Sequence, residues 1–267
     1  MDLEKTALKV RRDILTAVHS AQSGHPGGSL SGVEILTFLY FEEMRIDPKE
    51  PRKKDRDLFV LSKGHASPLY YSVLSERGFF DKELLKTFRK INSPLQGHPD
   101  RNKVAGVDMS TGSLGQGLSC AVGMALGQKL DNSEYNTYVL MGDGEAQEGI
   151  VWEALMSAAQ YKLSNLIVFM DHNGLQIDGT NTEVMNIEPI DEKLKAFGWE
   201  VFHIDGHNFE EIKNALKSRS KIKPTAIICA TVKGKGISFM ENNKNWHGKA
   251  TDEDEYKKAM AELGGEI

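Results

Sequence analysis

Apolar residues at helical spacing mark the first element. Leu3, Ala7, Val10, Ile14, Ala17, Val18 and Ala21 recur every three or four positions, which predicts a helix over residues 3–22. Gly24-His25-Pro26-Gly27-Gly28 stops it. Ser31 is placed to cap a second helix, 32–44, because its hydroxyl can accept from a free first-turn amide. Beyond it, short apolar runs alternate with helical patterns. Residues 58–61, 135–141, 166–170, 199–204 and 225–232 read as strands. Residues 67–76, 115–130, 150–161, 209–218 and 252–263 read as helices, the second of them crowded with Gly and Ala and so suited to close packing. Apolar strands separated by helices predict an α/β fold, a parallel sheet flanked by helices. Ligands of such sheets bind beyond the carboxyl ends of the strands, where the glycine-rich segments fall.

Composition narrows the picture. The 267 residues suit a single α/β domain spanning 1–267. Hydrophobic residues at 40% and charged residues at 27% give a globular balance. The net charge of −5 offers no basic excess, so no nucleic-acid partner is expected. No apolar run approaches the ~20 residues of a membrane helix, and the charged N-terminus has no secretory apolar region. Cys120 and Cys229 cannot form a disulfide framework and read as buried core thiols, with a cytoplasmic location as the default.

The chemistry concentrates in one βαβ unit. A strand ends in Gly142-Asp143-Gly144, a helix follows, and the next strand ends in Asp171-His172-Asn173-Gly174-Leu175. The two glycines allow close backbone approach, and a turn entering a helix presents amides suited to a phosphate. Asp143 and Asn173 can converge on a hard cation if their strands are neighbours, and Mg²⁺ takes such oxygen ligands and bridges to diphosphates. The segment is neither a Walker loop nor GxGxxG. GDG alone is an ordinary turn. GDG followed after just under thirty residues by Asn173 is similar to the thiamine-diphosphate signature.

Six further segments occur in order around it. They are Ser23-Gly24-His25-Pro26-Gly27, Leu61-Ser62-Lys63-Gly64-His65-Ala66, Gln96-Gly97-His98-Pro99, Thr111-Gly112-Ser113-Leu114-Gly115-Gln116-Gly117, Thr231-Val232-Lys233-Gly234-Lys235-Gly236 and Trp246-His247-Gly248. With them, nearly the whole chain resembles the N-terminal, diphosphate-binding part of transketolase.

The resemblance implies roles. Asp143 and Asn173 would hold Mg²⁺, or another divalent cation such as Ca²⁺, together with the Leu175 carbonyl. Gly144, His65, Lys233 and His247 would meet the diphosphate of thiamine diphosphate. Gly112, Ser113 and Leu114 would line its rings. His25, His98 and His247 would face the sugar, and Glu148 would link paired active sites as an interface acid. The implied reaction transfers a two-carbon ketol unit from a ketose phosphate to an aldose phosphate, as in the pentose phosphate pathway. Imidazoles, which titrate near neutral pH, suit its proton transfers. Outside these motifs, His172 reads as packing. His203 and His207 flank an Asp205-Gly206 turn and lack the helical spacing of a zinc pair.

Whole transketolases carry two more domains, which would supply the glutamate that activates the aminopyrimidine and most of the phosphate-gripping arginines. The chain begins at Met1 and closes on a helix and Gly264-Gly265-Glu266-Ile267, which suggests one subunit of a split enzyme. Its partner would be a separate C-terminal subunit, with two copies of each. The alternatives are a split enzyme for another ketose, a relative of deoxyxylulose-phosphate synthase, or a non-catalytic cofactor-binding module.

Overall fold

A computed structural model describes residues 2–265; Met1, Glu266 and Ile267, including the end of the Gly264–Ile267 tail, lie outside it. Helix α1 (Leu3–Ala21) starts where the Asp2 carboxylate accepts from the Lys5 amide at 3.1 Å, and stops at Gln22, in the left-handed region with φ 49°. The expected loop after it contains a short helix, α2 (Pro26–Leu30), because Pro26 presets the first-turn φ. The expected helix over 32–44 divides into α3 (Val33–Phe38) and a π-helical turn (Leu39–Glu43). Ser31 caps neither. Its one hydroxyl hydrogen is shared between the Gly28 carbonyl, three residues back, and the Asp171 carboxylate, a partner no local pattern reveals.

The rest of the chain alternates strands and helices: β1 (Leu58–Leu61), α4 (Ser67–Arg77), α5 (Gln116–Leu130), β2 (Thr137–Gly142), α6 (Gly149–Gln160), β3 (Leu166–His172), α7 (Asn181–Val184) and α8 (Ile190–Ala196). After these come β4 (Glu200–Asp205), α9 (Phe209–Ser218), β5 (Thr225–Ala230) and α10 (Glu253–Glu262). The boundaries of α9 are those expected, since Asn208 accepts from the Glu210 and Glu211 amides. Strand β5 ends two residues early because Thr231 turns its hydroxyl to Asp171.

All five strands are parallel, in the order β1-β2-β3-β5-β4. Side chains alternate between two cores, as a doubly covered sheet requires. Phe59, Leu61, Leu140, Ile167, Phe169 and Ile227 pack toward α1, α3, α4 and α9. Val60, Val139, Met141, Val168, Met170 and Ile228 pack toward α5, α6 and α8. Cys229 is buried as expected, but Cys120 is only half-buried, on the side of α5 away from Leu118, Ala121 and Ala125. The chain leaves β3 for the edge strand β4 and returns to place β5 beside β3, so loops from β1, β2, β3 and β5 meet at one end of the sheet.

Candidate functional site

At that end lies a cavity of about 350 Å³. Its walls include His25 and Gly28 from α2 and its entry, Lys63 and His65 after β1, and Asp143 and Gly144 after β2. Asn173 and Leu175 after β3, Lys233 after β5, and His247 complete much of the rest. Gly112, Leu114 and Glu148 also line it. Most of the residues expected from sequence are therefore brought together. Ser113 and His98 are not in the wall and are exposed. His98 still stands beside it. Gly112 has φ 153°, and a Cβ there would lie 2.9 Å from the His98 ring, so only glycine lets that ring pack on the loop.

The pairing of β2 with β3 sets Gly142 opposite Asp171, which places Asp143 beside the Asn173 turn. Asp143 is 3% exposed. Its carboxylate accepts from the Gly174 amide at 2.6 Å and the Gly144 amide at 2.7 Å. Burial, and then the nearby Asp171 charge, push its carboxyl above the ordinary range. No cationic side chain pairs with it among the described residues. A buried carboxylate without a cation is costly, and a bound divalent ion would relieve it. Nearby oxygens are the Asn173 amide and the Leu175 carbonyl, which accepts from the Lys233 ammonium at 2.9 Å. No group of three or more His, Cys, Asp or Glu converges as a metal centre among the described residues. One carboxylate, one amide and one backbone carbonyl are nevertheless the hard-oxygen set that Mg²⁺ accepts. These residues would suit a hard divalent cation.

Opposite the oxygens stand cations and imidazoles. Burial pushes Lys233 down to about 8. It donates to His247 Nδ1 at 3.1 Å, and Arg89 approaches His25 Nδ1 at 3.5 Å. Both rings therefore accept at Nδ1 and carry their proton on Nε2, neutral and able to donate. Burial lowers His25 to about 4, with help from Arg89, and His247 to about 3, with help from Lys233. His65 and His98 are lowered for the same first reason. The rings of His25, His65 and His247 lie 5.2–5.3 Å apart.

These neutral imidazoles set an expected pH dependence of stability. Above pH ~6.5 neither folded nor unfolded chain protonates them, so they contribute no slope. As pH falls from there toward 4, the unfolded chain binds protons that the folded one refuses, and stability drops. Urea unfolding at pH 7.5 and 5.5 should show a smaller drop for the His25→Gln, His247→Gln double variant than for the wild type. Equal drops would count against neutral buried rings.

Sequence reading missed the floor of the site. Lys63 is 2% exposed and pairs with fully buried Asp171. Its ammonium also donates to the Gly28 carbonyl at 2.7 Å, while Ser31 and Thr231 donate to Asp171. Burial alone would raise the Asp171 carboxyl; Lys63 holds it below the usual range. This knot ties together the ends of β1, β3 and β5 and the α2 segment. Glu145 is a second missed residue, accepting from Ser62, Gly115 and Gly142 beneath the cavity. Lys63 falls inside one of the six motifs and Asp171 two residues before Asn173, so proximity to motifs was the available signal. His172 is not packing: its Nε2 meets Glu188 at 2.9 Å. His203 and His207 do not pair, for His203 faces Asp191 and His207 faces Glu34.

Known proteins are similar in sequence and fold along the length of the chain. Residues 4–266 match the family described as transketolase, thiamine diphosphate binding domain. The chain is 44% identical over 265 residues to the 6-deoxy-6-sulfo-D-fructose transketolase subunit of Clostridium sp. strain MSTE9, covering 98% of this chain and 96% of that protein. It is 42% identical over 267 residues to an apulose-4-phosphate transketolase subunit of Phocaeicola vulgatus, covering 99% and 95%. Human transketolase is 41% identical over 266 residues, but the match spans 42% of its length. The solved transketolase of Leishmania mexicana superposes with a TM-score of 0.94 at 32% identity, over 100% of this chain and 42% of that one. With its cavity at the strand ends and this similarity along its length, the chain belongs to the transketolase family, as a thiamine diphosphate binding domain.

Proposed function

We propose that this chain is the N-terminal subunit of a split transketolase. With a C-terminal partner it moves a two-carbon ketol unit from a ketose to an aldose, one or both carrying a phosphate or sulfonate. The observation that carries this reading is the facing pair of half-sites. Asp143, Asn173 and the Leu175 carbonyl offer oxygens to a cation, and Lys233, His65 and His247 line the same cavity. Relatives of matching length are named as transketolase subunits, and one of them is named for a sulfonated ketose, which supports a donor outside the ordinary ketose phosphates.

Thiamine diphosphate, when bound, supplies the electron sink for breaking the bond beside the ketose carbonyl. The chain's residues do the rest. Asp143, Asn173 and Leu175 hold the divalent cation. The Gly144 amide, His65, Lys233 and His247 hold the diphosphate, and the Gly112–Leu114 segment lines the rings. Neutral His25, His98 and His247 donate to sugar oxygens and move hydroxyl protons. Glu148, exposed at the cavity rim, reaches toward a paired site.

The partner has a place to dock. A Cβ at Gly123 or Gly127 of α5 would meet nothing within 4 Å, and Leu130, Met156 and Tyr161 are exposed hydrophobics. Two copies of each subunit would close this surface by two-fold symmetry. The chain alone is expected to show no transfer, since of the carboxylates lining the cavity Asp143 is assigned to the cation, Glu145 is held by Ser62, Gly115 and Gly142, and Glu148 is assigned to a paired site. The test mixes chain, thiamine diphosphate, Mg²⁺, donor ketose and acceptor aldose, with and without a C-terminal transketolase subunit. Turnover by the chain alone would refute the split-subunit reading, and no turnover with such a subunit would refute ketol transfer.

A further inference from the structure

We propose that His207, which does not line the cavity, is a positioning residue that fixes the Thr231–Gly236 loop and through it the ammonium of Lys233. The inference rests on the thiamine diphosphate reading of the cavity. His207 sits in the turn between β4 and α9, and its imidazole is used at both nitrogens. The Val232 amide donates to Nε2 at 2.9 Å. Nε2 is thus an acceptor, which puts the ring's proton on Nδ1, and Nδ1 lies 2.9 Å from the Glu34 carboxylate. The side chains are 12% and 7% exposed, so the bridge is shielded from water.

Glu34 is anchored in turn. Its other oxygen accepts from Arg11 at 2.6 Å, and Arg11 Nε donates to the Lys235 carbonyl at 3.0 Å. Burial alone would raise the Glu34 carboxyl, but His207 and Arg11 hold it below its ordinary range, so it stays a charged acceptor. The loop is therefore gripped on both sides of Lys233: at Val232 by His207, and at Lys235 by Arg11. The grip comes from α1, α3 and the β4–α9 turn. Lys233 itself needs this. Its ammonium is aimed at the Leu175 carbonyl and His247 Nδ1, and its side chain passes Gly27, where a Cβ would lie 3.1 Å from its Cγ. A loop freed at Val232 lets that ammonium wander, and positioned charge is what a diphosphate site requires.

Two substitutions separate the ring's two contacts. His207→Asn keeps a group near Nδ1 for Glu34 but cannot reach Val232. His207→Gln places an amide oxygen near Nε2 and can still accept from Val232. Thiamine diphosphate binding to the full chain in Mg²⁺ is measured by calorimetric titration, with thermal melts confirming the fold. The Asn variant is expected to bind about tenfold more weakly, and the Gln variant within about threefold of wild type. In a Lys233→Ala background, His207→Asn should cost almost nothing further, because its effect passes through Lys233. An Asn variant as tight as wild type, a Gln variant as weak as the Asn variant, or additive losses in the double variant would each overturn the inference. If the Asn variant fails to fold, a folded His207→Gln variant that binds about tenfold or more weakly than wild type would still overturn the inference, since it keeps the acceptor for Val232. A wild-type chain that takes up no thiamine diphosphate overturns the cofactor reading and this inference together, whereas tight wild-type binding with the outcomes just named overturns this inference alone.

Discussion

Asp143→Asn is expected to abolish metal-dependent uptake of thiamine diphosphate while leaving the chain folded. The carboxylate is buried, and it accepts from two backbone amides. Asparagine keeps nearly the same shape and one acceptor oxygen, but its amide nitrogen must face one of the two backbone amides, because Gly144 and Gly174 donate to different carboxylate oxygens. The charge is lost, and with it the strongest hard-oxygen ligand. Affinity should fall by more than about 100-fold, above the 10–100-fold typical of losing a partner outside the ligand shell. The empty protein should melt close to the wild-type temperature, because removing an unpaired buried charge offsets the loss of one of the two amide hydrogen bonds. Added Mg²⁺ and thiamine diphosphate should raise the melting temperature of the wild type only. Unchanged cofactor affinity in the variant would sink the assignment of Asp143 as the cation's anchor.

His25→Ala and His98→Ala should each cut ketol transfer in the reconstituted enzyme by ~10²–10⁴-fold, the usual cost of removing a positioned proton-transfer group. Cofactor binding should stay near normal, since both rings are proposed to face the sugar. The rings differ in setting. His25 is half-buried between Arg89 and the His65 and His247 rings, whereas His98 is exposed and packed on Gly112. His247→Ala should impair both binding and turnover, because the ring touches Lys233 and is also proposed to face the sugar. Wild-type turnover in the His25 and His98 variants would remove the sugar-facing roles.

Much of this was legible from local pattern. Runs such as Leu166–Met170 are apolar on both faces, and that alone announces a doubly covered parallel strand. Gly142-Asp143-Gly144 and Asn173 carried the site because strand ends deliver residues to one edge of such a sheet. What stayed hidden depends on partners distant in sequence. Ser31 read as a cap because its neighbours are helical, yet its acceptor Asp171 lies on the far side of the chain. Lys63 and Asp171 each look like ordinary charged residues until the fold sets them together out of water. His207 read as a turn residue, and its link to Glu34 appears only when α3 packs beside the β4–α9 turn. The short helix at Pro26–Leu30 was masked by its two glycines, and at Gly27 the small size is what lets the Trp246 backbone and the Lys233 side chain approach.

The most direct test follows the transferred carbons. The chain, a C-terminal transketolase subunit, Mg²⁺ and thiamine diphosphate are incubated with a donor ketose labelled with ¹³C at its first two carbons and an unlabelled aldose acceptor. Mass spectrometry should find both labelled carbons, still joined, in a new ketose built on the acceptor, and only when this chain is present. Label that stays in the donor, or arrives in the product as any unit other than an intact pair, would contradict two-carbon ketol transfer.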